Sequence, residues 1–94
     1  MQRKKLKQGY GMIFVFDNPQ KVRFSMLNTL FPLDVIFIRN NRIVSYELNV
    51  LPCLLCDPFG PDILVDNVIE VAHGEVHRLN IKIGDKVDIK YYER

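Results

Sequence analysis

The chain has 94 residues, of which 48% are hydrophobic and 26% are charged. This composition is typical of one small soluble globular domain, and it excludes a wholly disordered or fibrous chain. No apolar run approaches the ~18 residues of a membrane-spanning helix, and the run Met12 to Phe16 is too short for a signal-peptide core. We therefore expect a cytoplasmic domain without a membrane partner.

Basic residues are concentrated at the start of the chain. Four of the thirteen lysines and arginines lie within the first seven positions, which leaves nine basic residues against eleven acidic ones elsewhere. They are Arg3, Lys4, Lys5 and Lys7. We predict that residues 1–8 form a basic flexible tail and that residues 9–94 form a single small β domain. A nucleic-acid accessory could grip phosphates with such a tail, but a basic tail on a mildly acidic body is more often only solvated.

Apolar runs separated by turn residues predict strands in the first half of the chain. Met12 to Phe16 is typical of a buried strand, and the Asp-Asn-Pro-Gln sequence at 17–20 predicts a turn after it. Val22 to Met26 alternates apolar and polar residues, as a strand with one buried face does. Asn40 and Asn41 tolerate positive φ and therefore predict a tight hairpin.

The second half begins with a loop and ends with short elements. Prolines and a glycine predict a long irregular loop over 51–61. Strand character resumes from Ile63 to Val71, a short helix is predicted over 74–79, and a last strand begins at Val87. The sum is a mainly β fold with about six antiparallel strands and one short helix, arranged as a small β-barrel or a strongly curled sheet. A two-layer α+β fold is the alternative.

The centre of the predicted fold is the stretch that leads into Val35 to Ile38. Four large apolar residues in succession predict a central strand that is covered on both faces. Asp34 stands just before this run, at the junction of loop and core, where a carboxylate must find donors or face solvent. In one interpretation Asn28, Thr29 and Asp34 form a hydrogen-bonded brace. In the other they line a small polar ligand site.

Four segments, in order, resemble the sequences of domain-of-unknown-function family 192. They are GMIFVF (11–16), FSMLNTLFPLDVIFI (24–38), NVIEVAHG (67–74) and IKIGDKVDI (81–89). The NT-x-x-PLD signature of that family matches at Asn28, Thr29, Pro32, Leu33 and Asp34. Ser25 and Leu27 depart from the sequences of the family, which usually have an aromatic residue where this chain has Ser25 and a lysine where it has Leu27. The resemblance covers residues 9 to 92 and implies a domain without an established activity.

The resemblance also bears on oligomeric state. Family members usually carry a longer segment before the first motif, which is replaced here by MQRKKLKQGY. A strand that this segment supplies in relatives could here be absent, replaced by the tail or supplied by another chain, so an oligomer is one expectation.

Cys53 and Cys56 form a Cys-x-x-Cys motif, a spacing that can bind a metal or form a redox pair. Structural zinc takes four ligands, and here only His73 and His77 could complete the set. We predict no tightly bound zinc and no cofactor. Thioredoxin-type chemistry needs the motif at a helix start, whereas these cysteines lie in a proline-rich loop. The resemblance implies a disulfide or thiol pair that braces this loop, and we expect it to be reduced in the cytosol.

No spacing in the sequence is typical of a nucleophile elbow, a phosphate-binding loop or a catalytic triad. We therefore predict a non-enzymatic module that binds a small ligand or a protein around the NT-x-x-PLD loop. The predicted ligand contacts are Asn28, Thr29, Asp34 and Glu70. The alternatives are a small metal- or thiol-dependent enzyme that uses Asp34 with Cys53 and Cys56, and a nucleic-acid accessory that uses the basic tail.

Overall fold

The computed structural model of the chain describes residues 8–25, 31–53 and 55–90. The predictions for Asn28, Thr29 and most of the basic tail lie outside the described residues. The described part contains four strands and one short helix. They are β1 (Gly11–Gln20), β2 (Leu33–Arg39), β3 (Arg42–Val50), β4 (Val65–Ala72) and α1 (Glu75–Arg78).

The four strands form one antiparallel sheet in the order β1-β4-β2-β3. One of its two inner strands, β2, has side chains that are buried on both faces of the sheet. Alternate residues of a strand point to opposite faces. Leu33, Val35 and Phe37 mark the face that we call the front, and Ile36 and Ile38 mark the back. The prediction of a central strand covered on both faces is therefore confirmed.

Each face of the sheet is covered by different chain segments. On the front, the core includes Val22 and Phe31, with Phe24 and Phe59 packed against it. On the back, Val76 of α1 packs on the sheet together with residues that follow the helix. No helix in the described ranges is long and apolar enough to cross a membrane.

The prediction of a mainly β fold with one short helix is confirmed, but two details differ. The described part holds four strands instead of about six, and their sheet is open instead of closed into a barrel. Two predicted strands are reduced to single bridges, Phe24 with Phe59 and Lys86 with Arg42. Pro58 and Pro61 flank Phe59 closely, and prolines lack the N–H donor that a longer ladder would need.

The turn predicted at 17–20 lies inside β1. The register of β1 on β4 shifts between Val15 and Gln20, so the turn signal produces an irregularity and not a chain reversal. Because β1 is an edge strand of this sheet, Pro19 removes no donor that a neighbouring strand requires.

Two local predictions, the tight hairpin and the short helix, are confirmed by the backbone. Asn40 and Asn41 have φ of 52° and 61° in the hairpin between β2 and β3. Asn80, with φ of 53°, follows the helix in the left-handed conformation. The helix itself spans Glu75–Arg78, inside the predicted segment.

Candidate functional site

Asp34 is a buried carboxylate at the start of β2, with only 2% of the residue exposed. Its Oδ1 accepts a hydrogen bond from the Asn49 N–H at 2.9 Å. Its Oδ2 accepts from the N–H groups of Gly74 at 3.0 Å and Val76 at 3.1 Å. Three main-chain donors offset the free-energy cost of burying the charge.

These donors need a side-chain acceptor for local reasons. Asn49 has φ of 52° and lies at a bulge in β3, where strand partners jump from Val50 to Glu47. A bulged residue and the first residues of a helix both leave N–H groups without ladder partners. The N-cap residue Gly74 has no side chain to accept them. Asp34 therefore braces β3, the end of β4 and α1. The predicted part of Asn28 and Thr29 in such a brace lies outside the described residues.

Glu75 is a second buried carboxylate, at the first position of α1. It accepts hydrogen bonds from the Gly9 N–H at 2.9 Å and from both Nε and Nη2 of Arg78. The hydrogen bonds from Arg78, and then that from Gly9, lower the pKa of Glu75 to about 2. Glu75 thus ties the residues before β1 to the helix. The spacing of three between Glu75 and Arg78 is the sequence signal that could have predicted this pair.

Glu70 lies in β4 on the front face, between Met12 of β1 and Val35 of β2. It is 8% exposed, and its carboxyl has no hydrogen-bond partner among the described residues. Burial in these apolar surroundings raises the pKa of Glu70. Asp34 precedes Val35 and points to the opposite face. The structure therefore separates two predicted ligand residues, Asp34 and Glu70, by the thickness of the sheet.

A pocket of about 510 Å³ opens between the second half of β3 and residues 51–59, which we call the disulfide loop. We call this space the loop pocket. Its lining is mainly apolar and consists of Glu47, Leu48, Val50, Leu51, Pro52, Cys53, Cys56, Asp57 and Phe59. The volume lies within the range of small-molecule sites in proteins, roughly 300–1,000 Å³.

The disulfide loop is anchored at both ends. One end continues β3, and at the other Phe59 exchanges two main-chain hydrogen bonds with Phe24, at 2.7 and 2.8 Å. Gly60 packs so closely on the neighbouring segment that an added Cβ would lie 2.1 Å from the Val22 carbonyl oxygen. Between these anchors, a disulfide joins Cys53 to Cys56.

Two carboxylates line the loop pocket, Glu47 from β3 and Asp57 from the disulfide loop. Both residues are exposed, and neither carboxylate accepts a hydrogen bond or forms an ion pair within the described part of the chain. No basic residue is among the described residues of the lining. The pocket is therefore apolar in its walls and negative at its polar groups.

The comparison with protein families identifies the chain. The model of domain-of-unknown-function family 192 (DUF192), described as "Uncharacterized ACR", matches residues 1–89. The chain belongs to this family. The comparison with curated proteins finds no match.

Two solved structures are similar to this DUF192 domain. One is a protein of unknown function from Novosphingobium aromaticivorans, 35% identical over 93% of this chain with a TM-score of 0.84. The other is a Sinorhizobium meliloti protein described provisionally as a transcription regulator, 30% identical over 89% of this chain with a TM-score of 0.83. The chain spans 62% and 65% of their lengths, which is less than two thirds of each.

The cysteine pair of this DUF192 domain is present as a disulfide. The structure therefore differs from the expectation of a reduced pair in the cytosol, and the Cα atoms 5.7 Å apart suit a disulfide. Oxidised cysteines offer no thiolate to a metal ion. Among the described residues, no group of three or more His, Cys, Asp or Glu side chains could hold a metal. His73 and His77 are therefore not assembled with the cysteines into a zinc site.

The sequence missed the two carboxylates of the loop pocket. Glu47 belongs to a strand and Asp57 to an irregular loop, and no motif or spacing connects them. What the sequence did indicate was the irregular loop itself and the cysteine pair within it. The pocket arises only because the loop folds back beside β3.

Proposed function

We propose that this DUF192 domain is a non-enzymatic binding module whose ligand occupies the loop pocket. The observation that carries the proposal is an apolar pocket of about 510 Å³ lined by β3 and the disulfide loop. Contiguous apolar surface of this kind on a small domain marks a binding site more often than it marks a packing defect. The lining contains no histidine, serine or lysine, which favours binding over catalysis.

The predicted ligand contacts are revised in this proposal. Asp34 is assigned to the brace, because the three hydrogen bonds that it accepts within the described part of the chain all come from main-chain donors. Glu70 and Glu47 both pair in register with Val35, from either side, so they share the front face roughly 10 Å apart. Glu70 does not line the pocket, and it is retained as a third polar group on the face that carries Glu47. Asn28 and Thr29 remain predicted contacts from the sequence.

The chemistry of the lining indicates the class of ligand. Apolar walls favour an apolar body, and the unpartnered carboxylates of Glu47 and Asp57 favour a cationic group. We therefore propose a small apolar molecule that carries an amine. Because both carboxylates are exposed, the charge contributes selectivity and orientation more than affinity.

A titration followed by amide NMR tests this proposal. The probes are 4-phenylbutylamine and its neutral counterpart 4-phenylbutanol, which share the same apolar body. We expect saturable shifts confined to residues 47–59, with tighter binding of the amine. Glu47→Gln combined with Asp57→Asn should remove the preference for the amine and leave binding of the alcohol unchanged.

A pair of apolar substitutions supplies the matched control. Leu48→Ser shortens a half-exposed lining residue, whereas Ile83→Ser shortens a residue of similar exposure (61%) that does not line the pocket. We expect several-fold weaker binding of both probes only in Leu48→Ser. Equal binding by the two variants, or shifts spread over the whole domain, would refute the loop pocket as the site.

A nucleic-acid accessory is the second candidate function. It is favoured by the Sinorhizobium meliloti neighbour, described provisionally as a transcription regulator, and by the four basic residues near the start of this chain. Binding of duplex DNA at several salt concentrations tests this second function.

A further inference from the structure

We propose that the Cys53–Cys56 disulfide controls ligand binding in the loop pocket, which binds tightly in the disulfide form and weakly in the dithiol form. This inference rests on the proposed function. It adds regulation by the redox state of two residues that lie in the wall of the site itself.

The disulfide is part of the pocket and not merely near it. Cys53 and Cys56 both line the pocket, and six of the nine lining residues come from the disulfide loop. The bond joins residues three apart in sequence, so it fixes the course of the chain at the middle of this wall. Any change in the freedom of the loop therefore changes the shape of the pocket.

Little else holds the middle of the disulfide loop. Among the described residues of 51–58, none makes a hydrogen bond or an ion pair to the sheet. Their apolar side chains are also largely in solvent, with Leu51 59% exposed and Leu55 96% exposed. The main-chain bridge to Phe24 begins only at Phe59. Within this part of the chain, the disulfide is therefore the one cross-link that orders the wall.

Reduction should weaken binding for an entropic reason. A cross-link removes conformations from a chain segment, and breaking it restores them. A ligand that needs the ordered wall must then order the loop again, and this lowers its affinity. Couplings between two sites of one protein typically correspond to 5–150-fold changes in affinity, and we expect about tenfold here.

The reaction that switches the pocket is thiol–disulfide exchange with a dithiol reductant. A thiolate of the reductant attacks one sulfur of the protein disulfide, and the Cys53–Cys56 bond breaks as a mixed disulfide forms. The second thiol of the reductant then resolves the mixed disulfide. The protein gains two electrons and two protons as two thiols, and the reductant becomes a disulfide.

The surroundings of the cysteines favour control over catalysis. Asp57 follows Cys56 directly, Glu47 lines the same pocket, and no basic residue does. Negative neighbours disfavour the thiolate, which is the reactive form in catalytic Cys-x-x-Cys motifs. The exposure of Cys56 nevertheless leaves the bond accessible to a reductant in solution.

The experiment measures binding of 4-phenylbutylamine by amide NMR to the oxidised protein, to the protein reduced with dithiothreitol, and to the Cys53→Ser/Cys56→Ser variant. We expect about tenfold weaker binding in the reduced protein. The double variant should bind as weakly as the reduced protein and should not respond to dithiothreitol. The amide spectrum of the sheet reports in each sample whether the domain is folded.

Linkage supplies a second measurement on the unmutated protein. If the disulfide form binds tenfold more tightly, saturating 4-phenylbutylamine should stabilise the disulfide by the same factor. For this two-electron couple, that is a shift of about 30 mV toward more negative reduction potential. A potential that does not change with the probe would contradict redox control.

The outcomes separate the two proposals. Equal binding by the oxidised and reduced proteins, at residues 47–59, would overturn redox control and leave the binding module intact. Absence of binding in both forms would overturn the binding module and redox control with it.

Discussion

At the scale of the residue, the carboxylates of this domain differ in what they do because their surroundings differ. Asp34 has three donors, Glu75 has an arginine and a main-chain N–H, and Glu70 has no partner among the described residues. All three are buried. Burial penalises each charge, and only the first two have interactions that offset the penalty.

Asp34→Ala should destabilise the domain by on the order of 3 kcal/mol, because it leaves three N–H groups without their acceptor, that of Val76 buried and those of Asn49 and Gly74 partly buried. Asp66→Ala is the control, since within the described ranges Asp66 accepts hydrogen bonds only from the exposed Asn40 N–H and from the side chain of Asn67. The Asp66→Ala variant should lose less than ~1 kcal/mol of unfolding free energy. Urea unfolding of the parent and both variants measures the difference. Equal losses in the two variants would show that Asp34 is not the brace.

Glu70→Gln should make the domain more stable at pH 7. Burial raises the folded pKa of Glu70, so its favourable contribution is present below the unfolded value near 4.5 and is lost as pH rises through the folded pKa. Glutamine keeps the shape without the charge. Melting temperatures of the two proteins should therefore coincide near pH 4 and diverge toward pH 7, with the variant higher. A variant that melts lower at pH 7 would indicate a partner for the carboxylate.

At the scale of the element, α1 shows how a helix of four residues can be held in place. One turn of helix is not stable by itself in water, because nucleation is unfavourable. Here Asp34 accepts the N–H groups at its start, Glu75 pairs with Arg78 along it, and Val76 packs on the back of the sheet. Its stability thus comes from tertiary contacts.

Glu75→Gln should loosen both α1 and the residues before β1. The folded pKa of Glu75 is about 2, so its contribution is present above the unfolded value near 4.5 and is lost as pH falls toward 2. The variant should melt lower than the parent at pH 7, and the gap should close between pH 4.5 and pH 2. Amide exchange of Gly9, which donates to this carboxylate, should become faster.

The matched control for this substitution is Glu47→Gln, which removes an exposed carboxylate without a partner in the described part of the chain. It should leave both the melting temperature and the exchange of Gly9 unchanged. A Gly9 amide that exchanges equally fast in the parent and in Glu75→Gln would contradict the tie between β1 and the helix.

At the scale of the whole molecule, the domain combines an open sheet, one pocket wall made by a loop, and a chain start rich in basic residues. The open sheet has β1 and β3 as its edges, and β3 also carries one side of the loop pocket. Net charge is +2, with four basic residues in the first seven positions. The proposed binding of a small ligand and the alternative contact with nucleic acid would therefore depend on different parts of the chain.

We predict that Arg3, Lys4, Lys5 and Lys7 give only weak DNA binding that does not depend on sequence. Each phosphate contact should contribute a slope of roughly −0.9 to the logarithmic dependence of affinity on salt. Fluorescence anisotropy with two unrelated DNA duplexes measures the affinity at each salt concentration. A variant with all four residues changed to Gln is the control. Discrimination between the duplexes at roughly 0.3 M salt, well above the ~0.1 M at which the Debye length is ~10 Å, would favour a specific nucleic-acid role instead.

The sequence by itself determined those features that depend on neighbouring residues. The apolar run Val35 to Ile38 predicted the buried central strand, and Asn40 and Asn41 predicted the hairpin. Side-chain alternation and turn conformation are local properties, so they can be read without knowing the rest of the fold. The series of motifs also identified the family.

Only the tertiary structure decided which groups meet. Asp34 bonds to Gly74 and Val76, residues 40 and 42 positions away, and no local pattern gives the partner of a carboxylate at such distances. The register of β4 on β2 put Asp34 and Glu70 on opposite faces of the sheet, although the sequence grouped them in one site. Glu47 and Asp57 became neighbours because a loop anchored by Phe59 folds beside β3. Sites of this kind are assembled by long-range pairing, and pairing depends on the whole chain.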